Sequence, residues 1–164
     1  MIKPRPSKPP QTGSHRKTKE LKMLTSARNE FAGKVTAINQ GVVNDEVEIT
    51  LPGGDRIVAV ITRESTKYLD LKPGAEALAL VKAPWIILSA PDAGIKFSTR
   101  NRLQGTVKTV KPGAVNTEIE VSLNGGATLT AIITQESAIA LRLAAGKPVV
   151  AIFKASHVIV GVKG

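Results

Sequence analysis

Cysteine is missing from all 164 residues. That removes disulfides, thiolate metal sites, iron–sulfur clusters and cysteine nucleophiles. Histidine occurs only at His15 and His157, which argues against a zinc-centred enzyme. Aromatics stop at Phe31, Tyr68, Trp85, Phe97 and Phe153, so platforms on which nucleic-acid bases could stack are scarce. No apolar run reaches the length of about 18 residues that a membrane-spanning helix needs. The charged N-terminus has no apolar stretch behind it, so a secretory signal is not expected either. The default expectation is a cytoplasmic protein without a membrane partner.

What is present is basic and unevenly placed. The chain holds 23 Lys+Arg against 13 Asp+Glu, a net charge of +10, with 42% hydrophobic residues, enough for a packed core. Residues 1–25 carry seven basic side chains (Lys3, Arg5, Lys8, Arg16, Lys17, Lys19, Lys22) against Glu20, hence +6. Residues 26–97 carry eight against nine, and residues 98–164 eight against three. The opening stretch is rich in Pro, Ser, Thr and Lys and has almost nothing to bury. It is expected to be a disordered basic leader. A basic leader can touch an anionic surface, but no recognition helix accompanies this one, so DNA binding is not expected without another domain.

The sequence repeats itself at an offset of 72 residues. Ser26-Ala27-Arg28-Asn29 returns as Ser98-Thr99-Arg100-Asn101. Gly33, Gly41 and Asn44 return as Gly105, Gly113 and Asn116, and Gly53-Gly54 as Gly125-Gly126. The stretch 59–65 (AVITRES) returns as 131–137 (AIITQES), and Lys82-Ala83 as Lys154-Ala155. Aligning 26–89 on 98–161 without a gap gives 25 identities in 64 positions, too many for chance. The expected organisation is a leader (1–25), a first module (26–90), a linker (91–97) and a second module (98–164).

Within each module the pattern is that of strands. Val47, Ile49 and Leu51 alternate with Glu46, Glu48 and Thr50, and their mates do the same. Leu-Pro-Gly-Gly and Leu-Asn-Gly-Gly read as hairpin turns. Further strands are expected over 33–38, 57–61, 77–81 and 85–88, and over their copies. Thr62 suits the cap of a short helix with Ser65 in its first turn. Leu69 and Leu71 would close one end of the module. The expected fold class is all-β: two tandem five-stranded OB-like barrels.

No nucleophile–base–acid set appears, so an enzyme is not expected. His157 has Trp85 as its mate, which argues against an essential base and for a strand residue at the rim. Glu46, Glu48, Glu118 and Glu120 alternate with apolar residues and read as a solvated sheet face. Asn29 and Asn101 read as structural, tying the first strand to a neighbour. What recurs in both copies is a set of small donors and cations: Ser-x-Arg-Asn, Thr-x-x-Ser and Lys-Ala. Hydroxyls, charge-assisted cations and free N–H groups at a helix start all suit an anion. Gathered at one point they would hold a doubly charged tetrahedral oxyanion. A mostly donor pocket would disfavour hydrogen phosphate, whose proton needs an acceptor. A generic interaction barrel or a nucleic-acid-binding barrel remain alternatives on residue pattern alone.

The stretch 26–49, followed by AVITRES and by Leu-Val-Lys-Ala-Pro-Trp, resembles the Mop (molybdate-binding, TOBE-class) module. Two in tandem resemble the di-Mop molbindins, and also the C-terminal effector half of the molybdate-responsive transcription regulators. The resemblance covers 26–164. It implies OB-like barrels that assemble as homo-oligomers, trimers for a molbindin or dimers for a regulator, with anion sites between modules. It implies molybdate or tungstate as ligand, no cofactor, no metal held directly by side chains, and a role in storing and buffering the anion. The alternative it carries is the sensing portion of a regulator without its winged-helix domain. Carried over residue by residue, the implied ligands are Ser26, Arg28, Thr62, Ser65, Lys82 and Ala83. Their second-copy mates are Ser98, Arg100, Thr134, Ser137, Lys154 and Ala155. The departures at Thr99 and at Ser156-His157 flank these positions without removing one.

Overall fold

The computed structural model describes residues 25–164; the basic leader, Thr25 apart, lies outside them. Each repeat opens with a 12-residue strand, β1 (Asn29–Gln40) and β6 (Asn101–Pro112). These run further back than the expected 33–38 and its copy. A hairpin follows in each, β2 (Asn44–Thr50) with β3 (Arg56–Thr62), and β7 (Asn116–Leu123) with β8 (Thr128–Thr134). Then come one short helix, α1 (Arg63–Tyr68) or α2 (Gln135–Ala140), and a fourth strand, β4 (Glu76–Val81) or β9 (Pro148–Phe153). The last strands are only three residues long, β5 (Ile87–Ser89) and β10 (Ile159–Gly161).

The alternation of apolar and polar residues along the strands is the alternation of burial. Val47, Ile49 and Leu51 are buried, as are Ile119, Val121 and Leu123, because successive strand residues face opposite sides of the sheet. Leu71 is buried in the core and Leu69 packs against it. β1 and β6 each carry one register shift, between Val35 and Ala37 and between Val107 and Thr109. Such a bulge bends the strand and raises its twist, which lets each sheet curl around a core.

The last strand of each repeat does not complete its own sheet. The sheet orders are β10-β4-β1-β2-β3 and β5-β9-β6-β7-β8. β5, from the first repeat, pairs antiparallel with β9 of the second, and β10 returns the exchange on β4. Two five-stranded curled sheets are therefore present, as expected, but each borrows its fifth strand. The segments 85–88 and 157–160, expected as simple strands, begin instead with 3-10 turns, Ala83–Trp85 and Ala155–His157. Those turns carry the chain across to the other repeat: the first packs on β8 and the second on β3. Ile86, Leu88, Val158 and Val160 are buried by the exchange, and one continuous core spans both repeats.

The strands β3 and β8 lie at sheet edges. An edge strand presents backbone N–H and C=O groups without a ladder partner. Here an asparagine from the other repeat meets them. Asn29 Nδ2 donates to the Thr130 carbonyl at 2.8 Å, and its Oδ1 accepts from the Thr130 N–H at 2.7 Å. Asn101 does the same to Val58, at 2.7 Å and 2.8 Å. Both asparagines are buried. A primary amide offers a donor and an acceptor side by side, as a strand does, so its place in both copies has a physical reason. The hairpin tips also meet: a Cβ on Gly53 would fall onto the Gly125 carbonyl oxygen. The Asp55 carboxylate accepts from the Gly125 N–H at 3.1 Å.

Replacing Asn29 by Ala leaves a buried N–H and a buried C=O of Thr130 without partners, each costing about 1–3 kcal/mol. Asn29→Ala is therefore expected to lower unfolding free energy by roughly 2–4 kcal/mol in denaturant titration. A loss below about 0.5 kcal/mol, the usual range for an uninvolved surface change, would contradict the clamp.

Candidate oxyanion-binding site

The strand exchange decides which of the repeated polar residues can meet. Asn29 pairs with Val81 across β1 and β4, so Arg28 and Lys82 stand at adjacent strand ends of the first repeat. Asn29 also holds Thr130, and the turn that follows Lys82 packs on β8. β8 ends at Thr134, which opens α2. A cleft of about 480 Å³ is lined by Pro84, Ile87 and Leu88 of the first repeat and by Asn116, Thr134 and Ser137 of the second. Ser26, Arg28, Lys82 and Ala83 do not line this cleft; the exchange takes Arg28 to Glu118 of the second repeat and sets the turn after Lys82 on β8. By the same pairing, Asn101 with Phe153 and with Val58, Arg100 meets Glu46 of the first repeat and the turn after Lys154 packs on β3.

The helix starts are built alike. Thr62 caps α1, its Oγ1 accepting from the Ser65 N–H at 3.1 Å, and the two hydroxyls lie 2.8 Å apart. Thr134 caps α2 through Ser137 with 3.1 Å and 2.7 Å. The Arg63 N–H is taken by the Val43 carbonyl at 3.0 Å, and the Gln135 N–H by Val115 at 2.8 Å. Thr62 and Thr134 are therefore helix caps, and each hydroxyl pair stays accessible at the surface. Ser26 and Ser98 are exposed, as are Lys82 and Lys154; Ala83 is buried and Ala155 half-buried. Thr99, the mate of Ala27, anchors the second opening segment by donating to the Phe153 carbonyl at 2.6 Å.

The arginines have partners that the sequence pattern does not reveal. Arg28 forms a two-pronged pair with Glu118 of the other repeat, Nη1 to Oε2 at 3.1 Å and Nη2 to Oε1 at 3.0 Å. Arg100 pairs with Glu46 in the reciprocal position. Glu118 also lies 3.8 Å from the Lys111 ammonium, while Glu46 accepts from the Asn39 amide at 3.3 Å. Glu48 is bound to the Thr36 hydroxyl at 2.7 Å. The expectation of a solvated face is corrected for two of these carboxylates: the exchange makes Glu118 and Glu46 cross-repeat counter-ions. The surroundings of the arginines are consequently not donor-only. Arginine and glutamate do recur at the same offset, but nothing in the sequence says that the pairs cross.

The two copies differ at the turns. Trp85 and His157 stack on each other with ring centroids 4.8 Å apart and planes tilted by 39°. The Lys82 ammonium lies 5.4 Å from the Trp85 ring, a cation–π arrangement; the matching position after Lys154 holds His157. His157 thus joins the turns instead of standing in a strand.

Comparison with known proteins agrees with this architecture. Residues 25–88 and 98–160 each match the TOBE domain. The chain is 46% identical over 139 residues to the molybdenum-pterin-binding protein MopA of Rhodobacter capsulatus, covering 85% of this chain and 52% of that protein. It is 41% identical over 145 residues to the molybdenum transport protein ModE of Herbaspirillum seropedicae, covering 88% and 54%. The chain spans about half the length of these curated relatives. A solved structure of the cytoplasmic molybdate-binding protein ModG with molybdate bound aligns with a TM-score of 0.83 at 48% identity, covering 86% of this chain and 100% of that one. A match of that extent includes the relative placement of both repeats.

The Arg28 hydrogen bond holds the Glu118 carboxyl below the usual glutamate value of about 4.5; partial burial opposes this, and the charges of Arg28 and Lys111 add to it. A depressed carboxyl stabilises the fold above its unfolded value, and that contribution is lost as pH falls through the folded value. Melting temperatures in low salt are expected to fall less steeply with acid below about pH 4.5 in Glu118→Gln than in the parent. Parallel acid slopes in the two proteins would show that the pair contributes nothing.

Proposed function

The chain belongs to the TOBE-domain family, and on that premise we propose that it binds molybdate, with tungstate as the ligand of equal charge and shape, and stores and buffers the anion without transforming it. The observation that carries this reading is the doubled set of hydroxyls and cations, with each arginine reaching across to the opposite repeat. It is supported by the 48% identity to ModG, a cytoplasmic molybdate-binding protein. The binding modules are residues 26–90 and 98–164, joined by 91–97. Ser26, Arg28, Lys82 and Ala83 act with Thr134 and Ser137; Ser98, Arg100, Lys154 and Ala155 act with Thr62 and Ser65. Lysine and arginine supply the charge, and the hydroxyls orient a ligand that only accepts hydrogen bonds. Sulfate has the same charge but is smaller, so a ring of fixed donors closes on it less well.

A cytoplasmic location belongs to the same proposal; among the described residues no helix is long and apolar enough to cross a membrane. So does assembly into a homo-oligomer, a trimer or a dimer. Ile87 and Ile159 are exposed on the exchanged strands, Val42 and Val43 between β1 and β2, and Tyr68 at the end of α1. Apolar side chains in such number on a small module fit a covered surface. The second reading, molybdate sensing in a regulator, rests on the match to part of ModE, and a gel shift with operator DNA separates it from storage.

Calorimetric titration with molybdate at neutral pH is expected to show saturable binding. Lys82→Ala and Arg28→Ala should each weaken it by about tenfold or more, because charge-assisted bonds are roughly twice as strong as neutral ones. Ser65→Ala should do less. Absence of saturation in the parent protein would refute the reading. Unchanged affinity in a Lys82→Ala, Lys154→Ala double variant would remove the lysines from the site.

A further inference from the structure

Both arginines assigned to the anion site are already engaged by carboxylates of the opposite repeat. Glu118 takes both terminal nitrogens of Arg28, the two-pronged face that a tetrahedral oxyanion also uses. A negative charge at that distance also offsets part of the guanidinium's field. Glu46 stands in the same relation to Arg100. Neither carboxylate is needed to satisfy the backbone clamp, which Asn29 and Asn101 complete by themselves.

We propose that Glu118 and Glu46 set the oxyanion affinity of the two half-sites by competing with the anion for Arg28 and Arg100, and that Lys111 makes the Arg28 half-site the easier one to load. The proposal rests on the molybdate reading above. When Arg28 turns from Glu118 to an anion, the carboxylate keeps the Lys111 ammonium at 3.8 Å as a counter-ion. When Arg100 turns from Glu46, that carboxylate keeps only the Asn39 amide at 3.3 Å. Lys111 and Asn39 occupy the same position in the two copies, each opposite its glutamate in the sheet ladder. One substitution between the repeats thus makes the two half-sites unequal. The glutamates act through the arginines and not on the anion itself. Their effect is to keep affinity below the maximum the cations could reach, so that a buffered anion is also released.

The test is calorimetric titration of the full chain with sodium molybdate, on the parent and on Glu118→Gln, Glu46→Gln and Lys111→Asn. The glutamine variants keep shape and remove charge. They are expected to bind about three- to tenfold more tightly, a gain that a merely structural role for the pair would not produce. Lys111→Asn is expected to weaken the tighter class of site by a similar factor and bring the two classes together. Lys111 is exposed, so this variant tests the inequality even if a glutamine variant fails to fold. Unchanged or weaker binding in the glutamine variants, with the parent binding normally, would overturn the competition and leave the molybdate reading intact. An unchanged gap between the classes in Lys111→Asn would overturn the inequality. A parent protein that does not bind molybdate would overturn both readings.

Discussion

Two buried amides hold the molecule in its arrangement. Asn29 and Asn101 each span the N–H and C=O of one residue on the opposite repeat's edge strand, and each does so at 2.7–2.8 Å with both bonds made. A buried polar group that is fully paired is cheap, and one that is half-paired is expensive. The clamp therefore specifies one docking of the repeats and penalises a slipped one. Two cations of the proposed site adjoin it. Arg28 precedes Asn29 in the chain, and Lys82 follows Val81, the ladder partner of Asn29. Fixing the amide against Thr130 carries both cations to the far repeat.

Strand exchange completes what the clamp begins. Either repeat without the other would lack a fifth strand and the cover for its edge. Burial of Ile86 and Leu88 in one direction and of Val158 and Val160 in the other adds an apolar term of roughly 1.5–3 kcal/mol per side chain, as an upper bound. The repeats are small, and a shared core is a direct answer to the poor surface-to-volume ratio of a module of some 65 residues. In the proposed anion site the same sharing combines cations from one repeat with the capped helix start of the other. It also gives each arginine its carboxylate partner, since the outward glutamates of β2 and β7 lie where the other repeat's opening segment arrives.

Much of this architecture is legible in the amino-acid sequence. The 72-residue offset, the alternation over 46–51 and 118–123, the Gly-Gly hairpins and the Thr62 cap all appear as expected, because each is set by local chemistry: side-chain period, turn conformation, a hydroxyl three residues before a free N–H. Asn29 and Asn101 are legible as structural for lack of another use. The exchange is not legible. A three-residue strand carries the same pattern whether it folds back on its own sheet or on a neighbour's, and only the packing of the preceding turn decides. For that reason the glutamate pattern suggests a solvated face, and the pattern around His157 a strand. Their partners, Arg28, Arg100 and Trp85, come from segments that no local rule brings to them.

The central claim is that each anion is held jointly by the two repeats, and a double-mutant cycle on molybdate affinity tests it most directly. Lys82→Ala is combined in turn with Thr134→Ala, its expected site partner, and with Thr62→Ala, which belongs to the other half-site. Residues serving one ligand are coupled by about 0.5–3 kcal/mol, whereas independent sites add within about 0.5 kcal/mol. Coupling between Lys82 and Thr134 together with additivity between Lys82 and Thr62 is the predicted outcome. The reverse pattern, with Lys82 coupled to Thr62 and indifferent to Thr134, would mean that each repeat builds its own site, and would contradict the account.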